Sequence, residues 1–126
     1  MTSLYCVNAE HGFCTRPTGN VVPCCISKQT IEADDGRPAN LSTHDAEAIW
    51  NGQYLRDLRT DLNAGVKHKN CQQCWDEEAA GYPSKRIRDN ARWSQLDFVP
   101  TGDTPKLLDL SLGNTCNLAC RTCGTF

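Results

Sequence analysis

The sequence contains no long hydrophobic run, no excess of charge of one sign and few aromatic residues. No segment holds 18 consecutive apolar residues, so no membrane-spanning helix is predicted. Thirteen basic and 15 acidic residues leave a net charge of −2, which gives no bulk attraction to nucleic acid or to an anionic membrane. The first residues, Met1 to Cys6, show neither the basic nor the apolar part of a secretion signal, so we expect a cytoplasmic protein.

Cysteine, by contrast, is abundant, with nine among 126 residues. The number is odd, and two groups have the spacing of metal ligands. One is the C-x2-C pair Cys71 and Cys74, and the other is the C-x3-C-x2-C run Cys116, Cys120 and Cys123. In a reducing compartment these features favour metal ligation over a disulfide framework, which stays open as the alternative.

Local patterns predict a small α+β fold around a metal site. Strands are expected from Gly12 to Pro17 and from Asn20 to Cys24, and Gly19 suits the turn that would join them into a hairpin. Three to four short helices are expected beside the hairpin. Their approximate ranges are 41–50 with Ser42 as N-cap, 53–64, a segment opened by the C-x2-C pair and ended by Gly81, and 84–93.

Six cysteines before residue 80 are candidates for the first metal site: Cys6, Cys14, Cys24, Cys25, Cys71 and Cys74. Four suffice for a closed site, and the C-x2-C spacing lets both of its sulfurs reach one metal. Cys24 and Cys25 are neighbours on a predicted strand, so their side chains should point to opposite faces and only one should ligate. The spacing alone fits an iron–sulfur cluster and a tetrahedral zinc ion equally well.

This part of the chain resembles the auxiliary-cluster domains of radical S-adenosylmethionine (radical SAM) enzymes, which are called SPASM domains and, in a shorter form, twitch domains. The SPASM pattern is a cysteine, then Gly-x4-Cys, and then C-x2-C. Cys6, the run from Gly19 to Cys24, and the pair Cys71 and Cys74 reproduce it in order.

The cysteines of the longer SPASM form do not follow between Trp75 and Thr115, so the resemblance is to the one-cluster twitch form. It implies that four cysteines bind an auxiliary [4Fe-4S] cluster, namely Cys6, Cys24, Cys71 and Cys74. Cys14 and Cys25 would then be free thiols. A structural zinc site in an interaction module remains the alternative.

Leucine alternates with polar residues from Lys106 to Leu112, which predicts a strand. A strand that runs into a three-cysteine loop resembles the start of the radical SAM barrel. The resemblance implies that Cys116, Cys120 and Cys123 hold three irons of a second [4Fe-4S] cluster, whose fourth iron binds S-adenosylmethionine. In that family the bound cofactor is cleaved reductively to a 5′-deoxyadenosyl radical.

We therefore expect a twitch-like module over residues 1–96, a linker over 97–105, and the first strand and cluster loop of a barrel over 106–126. A complete βα barrel needs about 250 residues, so we expect a truncated barrel, an inactive fragment and a strand at 106–112 without a parallel neighbour. Related enzymes act on peptides, proteins or small molecules, and no residue here selects among them. The oligomeric state is not set by the sequence either.

One helix is rich in basic residues, with Lys85, Arg88 and Arg92 on one face and Arg86 at its edge. Such a face can contact nucleic acid or an acidic peptide. Because the chain as a whole is slightly acidic, we expect a solvated helix face instead.

Overall fold

A computed structural model of the chain describes residues 3–95, 104–113, 118 and 121. Their elements alternate between short helices and a small sheet, as the α+β prediction requires. In chain order these are α1 (Val7–His11), β1 (Gly12–Thr15), β2 (Val21–Val22), α2 (Ala46–Trp50), α3 (Gln53–Asn63), a 3-10 turn (Lys69–Cys71), α4 (Gln72–Ala79), α5 (Lys85–Trp93) and β3 (Leu107–Leu110).

The predicted hairpin is confirmed. β1 and β2 pair antiparallel, with Cys14 opposite Val22. The turn between them contains Gly19 at a φ of 89°, which L-residues with a side chain rarely adopt. A Cβ at Gly19 would also lie 2.8 Å from Asn40 Oδ1. Both the backbone conformation and the lack of space therefore require glycine in this turn.

The strand predicted near Lys106 to Leu112 is present as β3, but the prediction that it lacks a parallel neighbour is wrong. β3 pairs parallel with β1, with Gly12 opposite Leu107 and Thr15 opposite Leu110. The sheet order is β2-β1-β3. In a hairpin the outer edge of each strand has unpaired backbone groups. β3 pairs with this edge of β1, although the two strands are more than 90 residues apart in the sequence. Local sequence patterns carry no signal for such a distant pairing.

The predicted bounds of α3 and α5 agree with the structure to within one or two residues. Ser84 caps α5 by accepting a hydrogen bond from the Ile87 N–H at 3.3 Å. The expected helix start at Ser42 is wrong, because α2 begins only at Ala46. The Ser42 N–H and hydroxyl both donate to Asn40 Oδ1, at 2.9 and 2.7 Å. This Asx turn holds Ser42 in a non-helical segment, and Asp45 takes the N-cap position of α2.

Helix α1 was not predicted, because its five residues are too few to show a helical period. It is held by α5 rather than by its own propensity. The Val7 N–H donates to Asn90 Oδ1 at 2.8 Å, and Asn8 Nδ2 donates to Asp89 Oδ2 at 2.8 Å. Tertiary hydrogen bonds therefore position the segment that carries Cys6.

The core lies between α3, the sheet and α4. Leu55, Leu58 and Leu62 of α3 are buried together with Trp50 and Trp75. The leucines of α3 thus lie on one face that packs into the core, and both tryptophans pack there as well. Among the residues that the structure describes, no helix combines the length and the apolar character needed to cross a membrane.

Candidate metal centre

The four cysteines that the resemblance assigns to the auxiliary cluster line one cavity, although they come from three separate segments. Cys6 precedes α1, Cys24 lies in the turn after β2, and Cys71 and Cys74 lie at the start of α4. We call this space the cysteine cavity. Its other lining residues are Asn8, Ile26, Leu62, Asn70, Gln73, Lys85 and Arg86.

The C-x2-C pair occupies the first turn of a helix, as its spacing predicts. Cys71 is the residue before α4, and Cys74 lies one turn further along the same helix. The chain enters α4 through the 3-10 turn. His68 caps this turn by accepting a hydrogen bond from the Asn70 N–H at 3.3 Å. The Trp75 indole N–H donates to the His68 carbonyl at 2.8 Å and anchors the helix start to the core. The two sulfurs are therefore presented by a rigid element.

Burial dominates the electrostatics of the thiols. It raises the pKa of Cys24 to about 11 and that of Cys71 to about 12, and neighbouring cysteines of the cavity add to both shifts. Burial also raises the pKa of Cys6, although the backbone N–H groups of Ala9 and Asn8 face its sulfur and oppose this effect. At neutral pH these free thiols are protonated, so iron would replace protons when it binds.

The two cysteines that the sequence left out of the ligand set also lie outside the cysteine cavity. Cys14 is buried in β1, and Cys25 is exposed beside Cys24. Both border a second cavity between the sheet and α5. Strand β2 ends at Val22, so Cys24 and Cys25 lie in a turn and not, as expected, on a strand.

Two cations at the start of α5 line the cysteine cavity, and the sequence did not indicate this. The prediction of a solvated basic face holds for Arg88 and Arg92, which are exposed, and is wrong for Lys85 and Arg86, which are half-buried. The Arg86 guanidinium lies 5.6 Å from the centre of the Trp75 ring. Lys85 Nζ is paired with Asp89 Oδ2 at 2.7 Å, so its positive charge would offset only part of the mutual repulsion of four thiolates.

Glu78 holds Arg86 in this position. The carboxylate accepts two hydrogen bonds from the guanidinium and one from the Ser84 hydroxyl at 2.7 Å, which joins α4 to α5. Burial alone would raise the pKa of Glu78, but these hydrogen bonds outweigh it and lower the pKa below its ordinary value of 4.5.

A carboxylate with a lowered pKa stabilises the fold above its unfolded-state pKa, and this contribution disappears as the pH falls through the lower folded-state value. We therefore expect acid to destabilise the protein below about pH 4.5, and Glu78→Gln to be less stable at pH 7 but to lose less further stability in acid. Urea unfolding of both proteins from pH 7 to pH 3 measures the difference. Parallel pH profiles would show that the carboxylate charge of Glu78 does not matter.

The wall of the cysteine cavity contains a buried polar group without a partner. Asn70 is 8 % exposed, and within the described part of the chain neither its Nδ2 nor its Oδ1 has a hydrogen-bond partner. An orphaned buried amide beside four thiols fits a site whose bound group supplies hydrogen-bond acceptors. The sulfides and thiolates of an iron–sulfur cluster are such acceptors.

The described side chains form no site for a single metal ion. Among the residues described, no group of three or more cysteine, histidine or carboxylate side chains is arranged to hold a metal ion. A structural zinc needs four sulfurs at about 2.3 Å from one point. In a four-iron cluster each cysteine binds a different iron, so the sulfurs stand further apart around a larger centre.

The second predicted site consists of the three cysteines of the C-x3-C-x2-C run. Cys116, Cys120 and Cys123 lie outside the described residues, and so does most of the expected linker at 97–105. What the structure describes is the strand before the loop. β3 belongs to the same sheet as β1, so the strand that leads to the three-cysteine loop is joined to the part of the chain that carries the cysteine cavity.

Comparison with known families identifies this part of the chain. Residues 6–75 match the family model of the SPASM iron–sulfur cluster-binding domain, and the match includes all four cysteines of the cavity. Searches of curated proteins and of solved structures gave no match to the chain. The matched segment makes up more than half of the 126 residues. The chain therefore belongs to the SPASM family of iron–sulfur cluster-binding domains.

Proposed function

We propose that Cys6, Cys24, Cys71 and Cys74 bind one auxiliary [4Fe-4S] cluster. The observation that supports this is the convergence of these four thiols, and not of Cys14 or Cys25, on one cavity. Four thiolates complete the ligand set of such a cluster. When bound, a cluster of this kind accepts and donates single electrons.

The protein's own residues have three tasks at this site. The four thiols hold the cluster, Lys85 and Arg86 offset its negative charge, and Leu62 with Ile26 excludes water from its apolar side. The ion pair between Glu78 and Arg86 keeps the Arg86 guanidinium in place.

We further propose that this module, residues 1–96, forms the N-terminal part of a radical SAM enzyme. In this proposal residues 106–126 provide the first strand and the loop whose Cys116, Cys120 and Cys123 bind the catalytic cluster. The support is the alternating strand β3 immediately before the C-x3-C-x2-C run, together with the SPASM match, since auxiliary clusters of this type accompany radical SAM enzymes. A peptide, a protein or a small molecule would be the substrate.

Anaerobic reconstitution with iron and sulfide tests the auxiliary site separately from the loop. A variant with Cys116, Cys120 and Cys123 all replaced by alanine should still bind about four irons and four sulfides per chain. Its Mössbauer spectrum should be that of a [4Fe-4S] cluster. A colourless protein that retains one zinc ion would contradict the proposal and support a zinc-stabilised module.

The loop is tested by the reciprocal variant, in which Cys71 and Cys74 are replaced by alanine. If the loop binds its own cluster, this variant should still take up iron. Addition of S-adenosylmethionine should then change the EPR spectrum of the reduced protein. A variant that takes up no iron would contradict the radical SAM assignment of the loop, whereas the auxiliary site is tested separately by the loop-deficient protein.

A further inference from the structure

We propose that the Asn70 side chain donates a hydrogen bond to a sulfur of the bound cluster and thereby raises its reduction potential. The inference rests on the proposed auxiliary cluster. It makes Asn70 a residue that contacts the cluster directly without being one of its cysteine ligands.

The side-chain amide of Asn70 is buried and unpaired. Asn70 is only 8 % exposed, and both of its side-chain polar atoms lack hydrogen-bond partners among the described residues. A buried amide without hydrogen bonds is strongly disfavoured, and nearly all such groups in folded proteins have a partner. The amide of Asn70 is therefore available to a group bound in the cysteine cavity.

Asn70 also lies next to the proposed ligands. Asn70 lines the cysteine cavity and directly precedes Cys71, in the 3-10 turn that leads into α4. Its backbone N–H is already used, because it donates to His68 Nδ1 at 3.3 Å. The backbone N–H is thus used, and the side-chain amide of Asn70 is the donor that remains for the bound group.

A bound cluster would provide hydrogen-bond acceptors for this amide. The cysteine cavity offers sulfur, and the sulfides and thiolates of a cluster accept N–H hydrogen bonds. Such bonds stabilise the reduced, more negative cluster and raise its potential. A single hydrogen bond to a charged acceptor corresponds to about a tenfold change in an equilibrium constant.

Two replacements of Asn70 remove the donor without a large change in volume. Asn70→Leu is apolar, and Asn70→Asp keeps the shape but cannot donate when ionised. We expect both variants to retain the full iron content. The one-electron reduction of the Asn70→Leu protein should become about tenfold less favourable, which corresponds to a shift of about −59 mV. Asn70→Asp adds a negative charge and should shift the potential further in the same direction.

The iron-free protein gives a second, opposite signature. Without the cluster the buried, unpaired amide of Asn70 destabilises the folded chain. Asn70→Leu should therefore leave the urea midpoint of the iron-free chain unchanged or raise it. A purely structural role for Asn70 would lower this midpoint. The control is Asn51→Leu, at the exposed end of α2, where Nδ2 donates to the Glu47 carbonyl at 3.1 Å. This control should leave the cluster potential unchanged.

The outcomes separate the two proposals. If the loop-deficient protein binds no cluster at all, the proposed auxiliary site is wrong, and this inference is wrong with it. If the cluster binds and both Asn70 variants keep the potential of the parent protein, the auxiliary site stands and the hydrogen bond from Asn70 is refuted. The loop-deficient background is used throughout, so that the potential of one cluster is measured.

Discussion

Replacing Cys74 with alanine is expected to abolish cluster binding at the auxiliary site. Cys74 is buried at the start of α4, where it lines the cavity with the three other thiols. Changes to groups behind the ligands already cost 10- to 100-fold in metal affinity, so loss of a ligand should cost more than about 100-fold. In the loop-deficient background, iron and sulfide content after reconstitution and gel filtration measures the effect.

Cys25→Ala is the matched control for this experiment. Cys25 is exposed and does not line the cysteine cavity, although it follows the proposed ligand Cys24 directly in the sequence. Its replacement should leave the iron content unchanged. If Cys25→Ala lost the cluster while Cys74→Ala kept it, the cysteine cavity would not be the binding site.

The unfolding of the protein should also depend on the cluster. Ligand binding to the folded state stabilises it, because the metal site does not exist in the unfolded chain. The Cys74→Ala protein should therefore unfold at the same urea concentration with and without iron and sulfide. The Cys25→Ala protein should show the same gain on reconstitution as the parent.

Leu62→Ala has the second large expected effect. Leu62 is 1 % exposed and belongs both to the core and to the wall of the cysteine cavity. Truncation of a buried leucine to alanine costs about 2–5 kcal/mol, because transfer free energy is lost and a void remains. Urea unfolding of the iron-free protein measures this loss.

In the reconstituted protein the same void should admit water and oxygen to the cluster. We therefore expect the visible absorption of Leu62→Ala to decay faster in air than that of the parent. Leu41→Ala is the control, since Leu41 is 40 % exposed and its truncation should change the free energy of unfolding by less than about 0.5 kcal/mol. Equal stability losses for the two variants would contradict the assignment of Leu62 to the core.

Much of this structure follows from features that are local in the sequence. The hairpin is predicted by the turn at Gly19, whose positive φ only glycine adopts readily. Helix α3 is predicted by leucines at helical spacing, and the start of α4 by C-x2-C. Each of these signals arises within one turn of a helix or one hairpin, where neighbours in sequence are neighbours in space.

The errors arise where a residue has a partner elsewhere in the chain. Ser42 has the chemistry of a helix N-cap, but Asn40 uses its polar groups in a turn. Helix α1 has too few residues for a period and depends on contacts with α5. Strand β3 pairs with β1 across more than 90 residues.

The sequence by itself determined which cysteines could share a site, since the order and spacing of Cys6, Cys24 and the C-x2-C pair already match the SPASM pattern. Only the tertiary structure decided what surrounds them. Lys85, Arg86 and Asn70 have no spacing that indicates a metal site, and they reach the cysteine cavity because α5 and the 3-10 turn pack against it. Ligand spacing is a property of the local backbone, whereas charge and hydrogen bonding around a site depend on which distant segments the core brings together.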